Sequence, residues 1–436
     1  MKLSKVRALS GTIKVPGDKS ISHRSIMVGA LSENDTKVLG FLKSDDCMST
    51  INCFRKMGVS ITENDDGNIT IRGVGLDGLK APDSPLDCGN SGTTARIISG
   101  ILCAQEFSST LKGDSSLSKR PMRRIIDPLS KLGAKITSYN AKETLPLVIS
   151  PSEISGGEIS TDVSSAQVKS ALIFAGLYAN SALTIHEPSL SRNHTELMLK
   201  AFGADITPGT FENPTTIVHP APVLHGRYIT VPGDISSAAY FIGAGLIVPD
   251  SEITIKNVGI NPTRAGILTV LKNMNASISL DNLHDESGEA VADITVKTSA
   301  LKATEISGNI IPLLIDELPL LAVIATQAEG QTIIKDASEL RVKESDRIEY
   351  MCNGLRAMGA DITPTEDGMM INGPTPLHSA FIKTGSDHRI AMSFAIASLI
   401  MDDVKPLAID DTSCVSISYP DFFRDLDMLD VDYPKR

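Results

Sequence analysis

The sequence predicts an α/β protein of two domains in which one motif of helices and strands occurs six times. A short phrase recurs at intervals of 70 to 84 residues, where a helix-like stretch reaches a small residue and a β-like run follows. An apolar helix begins about 40 residues before each phrase. A tetrapeptide, Val-Pro-Gly-Asp, occurs at residues 15–18 and again, 216 residues later, at 231–234. Together these three observations predict repeated α/β units divided between two lobes.

Each recurring phrase marks the end of a helix and the start of a strand. The small residues at the six phrases are Gly58, Gly133, Gly203, Asn275, Gly359 and Asp430. Glycine or asparagine directly after a helix is typical of a left-handed C-terminal stop. The order of the motif is clearest in the first repeat, which predicts helix 21–31, strand 37–41, helix 48–57 and strands 60–62 and 68–72. A period of about 70 residues indicates repeats of whole folding motifs, longer than those of an ordinary solenoid.

The length of 436 residues exceeds what one hydrophobic core usually supports, so two domains are expected. The two Val-Pro-Gly-Asp copies lie three repeats apart and each precedes a Ser-rich helix start, which favours paired crossovers over chance recurrence of a turn sequence. We assign three repeats to residues 16–232. The other three are assigned to residues 233–436 together with an N-terminal strand in residues 1–15. The crossovers are expected near 15–18 and 231–234.

Composition excludes several classes of protein. With 42% hydrophobic and 21% charged residues, the chain reads as an ordinary globular protein. Its net charge of -11 argues against a nucleic-acid partner, because an acidic surface repels phosphate. The apolar runs are far shorter than the roughly 20 residues that span a bilayer, so no membrane partner is expected. Six scattered cysteines without a CxxC pair predict reduced thiols in the cytoplasm, and we expect neither a metal site nor a cofactor.

Polar residues open the first helix of every repeat. The six starts are Ser20–Arg24, Asn90–Thr93, Ser164–Gln167, Asp234–Ser237, Asp316–Pro319 and Asp387–Arg389. Unpaired backbone N–H groups and the positive end of the helix dipole favour anions at such positions. The pattern therefore predicts a site for a heavily anionic small molecule.

The first of these starts is the densest in hydrogen-bond donors. Residues 19–25 contain Lys19, Arg24 and three serines, among them Ser20. A solvated helix cap would need one serine and one lysine, so this density favours binding of a phosphate or carboxylate. His23, in the same segment, is predicted to make a structural hydrogen bond.

Three further segments carry weaker signals. Residues 118–124 form a cation cluster, from which we select Arg120 because it precedes a proline in the capping turn and the later arginines are expected to face solvent. Ser165, Ala166 and Gln167 start a helix with hydroxyl and amide donors, although an ordinary serine cap would also explain them. Residues 191–196 place Arg192 in a first turn, where a capping box is a sufficient structural explanation.

The segment with the most specific signal is 339–347, which alternates acids and bases. Lys343 and Arg347 are four residues apart, so on a helix they would share a face and form a two-cation clamp beside Glu344. Arg389 lies at the start of the final apolar helix. Asp316 opens the fifth helix, where a carboxylate is also simply a good cap.

Taken together, these segments resemble the 5-enolpyruvylshikimate-3-phosphate synthase family over essentially the whole chain. The motifs that carry the resemblance are KSISHR, GNSGTTAR, SKRPM, SSAQVKSA, RNHTE, IDELP, RVKESDR and DHRIAM. The resemblance implies an inside-out α/β barrel of two domains, each with three βαβαββ units around a pseudo-threefold axis and with helix N-termini directed into the cleft between them. It implies transfer of the enolpyruvyl group of phosphoenolpyruvate to the 5-hydroxyl of shikimate 3-phosphate through a tetrahedral intermediate.

The resemblance also implies roles for individual residues. The shikimate 3-phosphate contacts would be Lys19, Ser20, Arg24, Ser165, Ala166, Gln167, Arg192, Asp316 and Lys343. The phosphoenolpyruvate contacts would be Lys19, Gly92, Arg120, Gln167, Lys343, Arg347 and Arg389. Asp316 would accept the proton of the 5-hydroxyl, Glu344 would handle protons at the enolpyruvyl methylene, and Lys19 would assist catalysis.

Two departures from the family pattern bear on function. Some members have a cleft lysine where this chain has Ile417, which puts one phosphoenolpyruvate contact in doubt. Glyphosate-tolerant members, which SSAQVKSA and RVKESDR resemble, carry alanine in place of Gly92. We expect the glycine to leave room for glyphosate, and hence sensitivity to it.

Alternatives from other classes remain open at this point. A UDP-N-acetylglucosamine enolpyruvyl transferase would share the fold, but that enzyme uses a loop cysteine and residues 112–120 contain none. A catalytically silent, ligand-binding relative is disfavoured by the retention of Asp316, Lys343 and Glu344. An RNA-processing cyclase is disfavoured by the acidic charge. We expect a monomer whose partners are small-molecule substrates.

Overall fold

The structure is a computed structural model that describes residues 3–140, 142–403 and 405–432. Its strands are short and spread along the whole chain. In chain order they are β1 (Ser10–Lys14), β2 (Asp35–Leu39), β3 (Ser60–Glu63), β4 (Ile69–Arg72), β5 (Leu86–Asp87), β6 (Ser109–Lys112), β7 (Lys135–Ser138), β8 (Leu147–Ser150), β9 (Gly157–Ser160), β10 (Leu183–His186), β11 (Ile206–Thr207), β12 (Thr215–Val218), β13 (Tyr228–Thr230), β14 (Glu252–Gly259), β15 (Ser277–Glu286), β16 (Glu289–Lys297), β17 (Glu305–Ile306), β18 (Gly330–Ile334), β19 (Asp361–Pro364), β20 (Met369–Gly373), β21 (Phe381–Ile382) and β22 (Ala408–Ile409).

Helices alternate with these strands. The α-helices are α1 (Lys19–Ala30), α2 (Asp45–Lys56), α3 (Gly92–Leu102), α4 (Arg123–Lys131), α5 (Ala166–Gly176), α6 (His194–Ala201), α7 (Ile235–Ile247), α8 (Gly266–Asn273), α9 (Ile311–Leu314), α10 (Leu318–Ala325), α11 (Arg347–Ala357), α12 (His388–Ser398) and α13 (Phe422–Leu429). Short 3₁₀ turns are Leu117–Lys119, Gly308–Ile310, Ser338–Val342 and Ser413–Ile417.

The described residues form five sheets of four strands and one sheet of two. In the sheet β5-β6-β8-β7, the β5–β6 pair is parallel while β6–β8 and β8–β7 are antiparallel. With α3 between the parallel strands and α4 before the final hairpin, this is one βαβαββ motif. The sheets β9-β10-β12-β11 and β17-β18-β20-β19 repeat the same order. None of these described sheets closes on itself.

Two repeats take their first strand from a distant part of the chain. Strand β13 pairs in parallel with β2, and β1 pairs in parallel with β14. These long-range pairs flank the two Val-Pro-Gly-Asp copies, where Asp234 donates its backbone N–H to the Pro16 carbonyl at 2.9 Å. The sixth repeat is reduced to β21, α12, β22 and α13, which explains why its sequence phrase is degenerate.

The chain divides into two compact units. One unit consists of residues 17–231 and 285–289, and the other of residues 1–16, 232–284 and 290–436. Each unit has its own apolar core, built from the buried first helix of every repeat and the inner faces of its sheets. Residues 285–289, the tip of the β15–β16 hairpin, pack with the first unit, which the sequence did not anticipate because the hairpin strands belong to the second.

The predicted helix starts are confirmed within a few residues. The helices α1, α3, α5, α7, α10 and α12 begin at the six polar segments. In α1, α3, α7 and α12 the side chain of the capping residue accepts a backbone N–H of the first turn, as Asp18 does from Ile21. Six helices of the described residues thus have polar first turns at their N-termini.

No single described helix is long and apolar enough to cross a bilayer. The segments Gly308–Leu314 and Leu318–Ala325 have that length and apolar composition only when taken together, and the chain bends by 109° between them.

Candidate active site

In the unit of residues 17–231 and 285–289, the start of α1 presents Lys19 beside a carboxylate. Its ammonium lies 3.0 Å from the Asp46 carboxylate, and both side chains are largely buried. His23 is fully buried one turn later, and its Nδ1 shares a hydrogen bond of 2.7 Å with the Thr50 hydroxyl. Burial, with Lys19 nearby, lowers the pKa of His23 well below its usual value. The structural role predicted for His23 is confirmed.

Arg24 is a buried cation whose hydrogen bonds go to neutral groups. Its guanidinium donates to the Thr195 hydroxyl at 2.5 Å, the Ser170 hydroxyl at 2.7 Å and the Ser20 carbonyl at 3.0 Å. Burial lowers the pKa of Arg24 to about 10. A charged guanidinium in these surroundings is well suited to an incoming anion, because the anion would supply the compensating charge.

A second polar cluster surrounds Gly92, the first residue of α3. Arg96, one turn later, donates to the Gln167 amide oxygen at 2.7 Å, and the Gln167 amide nitrogen donates to Thr93 at 3.1 Å. Arg120 donates to the Asn90 amide oxygen at 2.6 Å. These bonds fix two largely buried guanidinium groups close to one helix N-terminus.

The absence of a side chain at Gly92 leaves space between those two cations. A methyl group there would lie 3.3 Å from Nη1 of Arg96 and 3.5 Å from Nη1 of Arg120. The first distance is tighter than ordinary van der Waals contact, so an alanine would press on the Arg96 guanidinium.

The segment that carries Arg192 differs from its prediction. Helix α6 begins at His194, with Asn193 as the capping residue and without a side-chain cap bond. Arg192 therefore precedes the helix, and the capping box suggested for residues 191–196 is wrong. Ser165 caps α5 by position, and Ala166 is the first residue of that helix.

In the second unit, three cations converge on Asp316. Its carboxylate lies 3.3 Å from Arg347 and 3.8 Å from both Lys343 and Arg389. Arg389 also donates to the Asp316 carbonyl at 3.2 Å. The Asp316 side chain is 14% exposed, so its carboxylate can still reach a bound molecule.

Lys343 and Arg347 do not share a helical face as the sequence predicted. Helix α11 begins only at Arg347, because Asp346 caps it and accepts the Glu349 N–H at 3.0 Å. Lys343 lies in the preceding turn, and both cations nevertheless reach the same carboxylate. Partial burial lowers the pKa of Lys343, and the charge of Asp316 opposes this effect.

Arg347 and Arg389 are held charged by neighbouring carboxylates. Arg347 bonds Asp387 at 2.8 Å and Glu344 at 2.7 Å. Burial acts to lower the pKa of Arg347, but the Asp387 and Glu344 carboxylates outweigh it and the pKa is raised. Burial likewise acts to lower the pKa of Arg389, but Asp316, Glu317 and other negative groups together outweigh it and the pKa is raised. Both arginines therefore remain permanent cations.

Several charged residues of these clusters were not predicted from the sequence to be part of the site. Arg96 is in the quoted motif GNSGTTAR and lies one helical turn after Gly92, a spacing that could have flagged it. Asp46 and Asp387 are carboxylate partners from other segments, so only folding reveals their contacts. Ile417, at the position of the family's cleft lysine, packs against the apolar core of its unit.

A family model for EPSP synthase (3-phosphoshikimate 1-carboxyvinyltransferase) matches residues 3–426. The chain belongs to the EPSP synthase family. Relatives named 3-phosphoshikimate 1-carboxyvinyltransferase from Bacillus velezensis and Bacillus subtilis are 50% and 49% identical over 431 residues, which covers 98% of this chain and 99% of each relative. The family resemblance and the assignment to an enzyme are thereby confirmed.

Solved structures agree with this membership. An EPSP synthase from Acinetobacter baumannii is 44% identical, with a TM-score of 0.87 over 99% of this chain and 98% of that one. An enolpyruvyl transferase from Streptomyces tendae is 17% identical, with a TM-score of 0.76 over 98% and 96% of the two chains, and it shows the fold alone. The predicted α/β fold class is confirmed.

Proposed function

We propose that this EPSP synthase family member transfers the enolpyruvyl group of phosphoenolpyruvate to the 5-hydroxyl of shikimate 3-phosphate and releases inorganic phosphate. The observation that carries the proposal beyond family membership is Asp316, a partly exposed carboxylate with three cations within 4 Å. A proton acceptor and fixed positive charge are both needed when a hydroxyl attacks a doubly anionic substrate.

The reaction proceeds by addition and then elimination. The 5-hydroxyl oxygen attacks C2 of phosphoenolpyruvate while Asp316 accepts its proton, and C3 gains a proton from Glu344. The resulting tetrahedral ketal loses a proton from C3 and its C2–O bond to phosphate breaks, which gives the enol ether. Lys19 assists by stabilising negative charge at the phosphate that departs. A positioned acid or base of this kind contributes roughly 10²- to 10⁴-fold to the rate.

Shikimate 3-phosphate is proposed to bind chiefly through residues of the unit 17–231. Its contacts are Lys19, Ser20, Arg24, Ser165, Ala166, Gln167 and Arg192, with Asp316 and Lys343 for the hydroxyl groups. Arg24 supports this assignment because its buried guanidinium is bonded to neutral groups and a phosphate would complete its coordination.

Phosphoenolpyruvate is proposed to bind chiefly through fixed cations. The contacts are Lys19, Gly92, Arg120, Gln167, Lys343, Arg347 and Arg389. Two arginines whose charge is secured by carboxylates suit a ligand that carries both a phosphate and a carboxylate. Arg96 is oriented toward the same amide, Gln167, and we add it to this set as an orienting residue.

We further infer that the protein acts as a cytoplasmic monomer on soluble substrates. Its net charge of -11 and six buried thiols support this inference. Gel filtration with light scattering would test it, with a mass near 46.4 kDa as the expected result.

The transfer is tested by phosphate release from phosphoenolpyruvate. Release should depend strictly on shikimate 3-phosphate, with one enol ether formed per phosphate. Parallel reactions with phosphoenolpyruvate alone and with UDP-N-acetylglucosamine as acceptor should stay at background. Release without an acceptor, or with the nucleotide sugar in place of shikimate 3-phosphate, would contradict the proposal.

A further inference from the structure

Three charged side chains are buried together beneath the start of α5 and α6, and none of them has a role in the proposed reaction. The Lys169 ammonium lies 2.9 Å from the Glu187 carboxylate and 2.8 Å from that of Glu196. Side-chain exposure is 0% for Lys169 and Glu196 and 1% for Glu187. Burial acts against its charge, but the two carboxylates raise the pKa of Lys169, which therefore stays protonated.

The same ammonium holds the backbone that precedes α6. Lys169 donates to the Ser191 carbonyl at 3.0 Å, and the Ser191 N–H donates to Glu187 at 3.3 Å. Ser191 is the residue directly before Arg192. One buried lysine on α5 thus fixes the peptide that leads into a proposed phosphate ligand.

The same segment is also hydrogen-bonded to Arg24, through Thr195. Thr195 shares a hydrogen bond of 2.7 Å with Ser170 on α5, and both hydroxyls accept from the Arg24 guanidinium. Residues next to the cluster in sequence therefore contact Arg24 and lead into Arg192, the two arginines assigned to the phosphate of shikimate 3-phosphate.

The charge of the cluster also matters to those arginines. One lysine with two glutamates carries a net charge of -1. Burial lowers the pKa of Arg24, while Glu196 opposes that effect most among the charged neighbours and Arg192 adds to it. Without the lysine, two buried carboxylates would be left without a compensating cation.

We propose that Lys169 is a positioning residue for shikimate 3-phosphate, because it anchors the segment bearing Arg192 to α5 and compensates the Glu187 and Glu196 carboxylates behind the phosphate site. The inference rests on the proposed function. Lys169 itself, fully buried, touches no substrate.

The first test compares how one substitution changes KM for each of the two substrates. Lys169→Met should raise KM for shikimate 3-phosphate about tenfold or more, because a small displacement of a phosphate ligand is costly, and leave KM for phosphoenolpyruvate within about twofold. Lys112→Met is the matched control, since Lys112 is a half-exposed lysine of the same unit that pairs with Asp87 at 3.0 Å. Equal changes in both KM values, or none, would overturn the proposal.

A double variant keeps the proposal testable if Lys169→Met does not fold. Lys169→Met/Glu187→Gln restores the net charge of -1 and leaves a single buried carboxylate, but the Ser191 anchor is still missing. Its KM for shikimate 3-phosphate should lie above the wild-type value, and below the value of Lys169→Met if that variant folds. A wild-type KM in the double variant would refute the anchoring role. Failure of the wild-type enzyme and Lys112→Met to release phosphate would instead refute the proposed function.

Discussion

Asp316 has two proposed roles, one in substrate binding and one in proton transfer. Its carboxylate neutralises part of a three-cation cluster and is also the proposed acceptor of the hydroxyl proton. Removing its charge should therefore slow the reaction without weakening the binding of phosphoenolpyruvate. The base is lost, whereas the cations that attract phosphoenolpyruvate become less compensated.

Asp316→Asn should lower kcat about 10²-fold or more while KM for phosphoenolpyruvate does not rise, since the base is lost and the surrounding cations are less compensated. Steady-state kinetics would measure both. Asp281→Asn, at an exposed carboxylate on β15, serves as the control and should behave like wild type. A kcat for Asp316→Asn within a factor of two of wild type would rule out its role as the base.

Gly92 controls the space between two guanidinium groups. In Gly92→Ala the new methyl lies 3.3 Å from Arg96 and must displace it slightly. An inhibitor that fills this space should lose about tenfold in affinity, which corresponds to roughly 1.4 kcal/mol. We expect the inhibition constant for glyphosate to rise more than KM for phosphoenolpyruvate. An unchanged inhibition constant would show that the space at Gly92 is not used by the inhibitor.

At the scale of the element, α1 depends on its cap. Asp18 accepts the Ile21 N–H at 2.8 Å, and the helix it starts carries Lys19 and Arg24. The same device recurs at α3, α7 and α12, where Ser91, Asp234 and Asp387 accept first-turn N–H groups. Capping side chains thus set where these four helices start, and the positions of the proposed binding residues on them follow from the caps.

Asp18→Ala should lower the free energy of unfolding of its unit by about 1 kcal/mol through loss of the capping bond. Asp18→Ser keeps a side-chain acceptor and should recover most of that loss. Urea unfolding followed by circular dichroism would measure both variants. If serine is as destabilising as alanine, the effect does not come from the cap.

At the scale of the whole molecule, activity should depend on the protonation of Lys343. Burial lowers the pKa of Lys343, so its charge is lost at a lower pH than the ordinary value of about 10.4. kcat/KM for phosphoenolpyruvate should accordingly fall as the pH rises through this lowered pKa. Lys343→Arg should move the decline to higher pH, because guanidinium stays charged. A profile that is identical in the two proteins would exclude Lys343 as the titrating group.

The repeat architecture could be predicted from the sequence because its signals are local. Helix stops such as Gly58 and Gly133, and caps such as Asp18, act within a few residues. The sequence alone therefore indicates the order of helices and strands. The duplicated Val-Pro-Gly-Asp likewise located the positions where strands β1 and β13 are contributed to distant repeats.

The site could be predicted only in part, because its charge partners are non-local. Lys343 was placed on a helix that in fact begins at Arg347, since the cap at Asp346 was not recognised. Lys169 has no sequence neighbour that marks it as buried, and only the folded chain brings Glu187 and Glu196 to it. Buried ion pairs of this kind have no signature in sequence spacing.

The most direct test of enolpyruvyl transfer is the fate of the bridging oxygen of phosphoenolpyruvate. The substrate is labelled with ¹⁸O between C2 and phosphorus, and released phosphate is analysed by mass spectrometry in the presence of shikimate 3-phosphate. Addition and elimination break the C2–O bond, so we predict that the label leaves with phosphate. Unlabelled phosphate, with the ¹⁸O retained in pyruvate, would mean cleavage of the P–O bond by water and would contradict the proposed transfer.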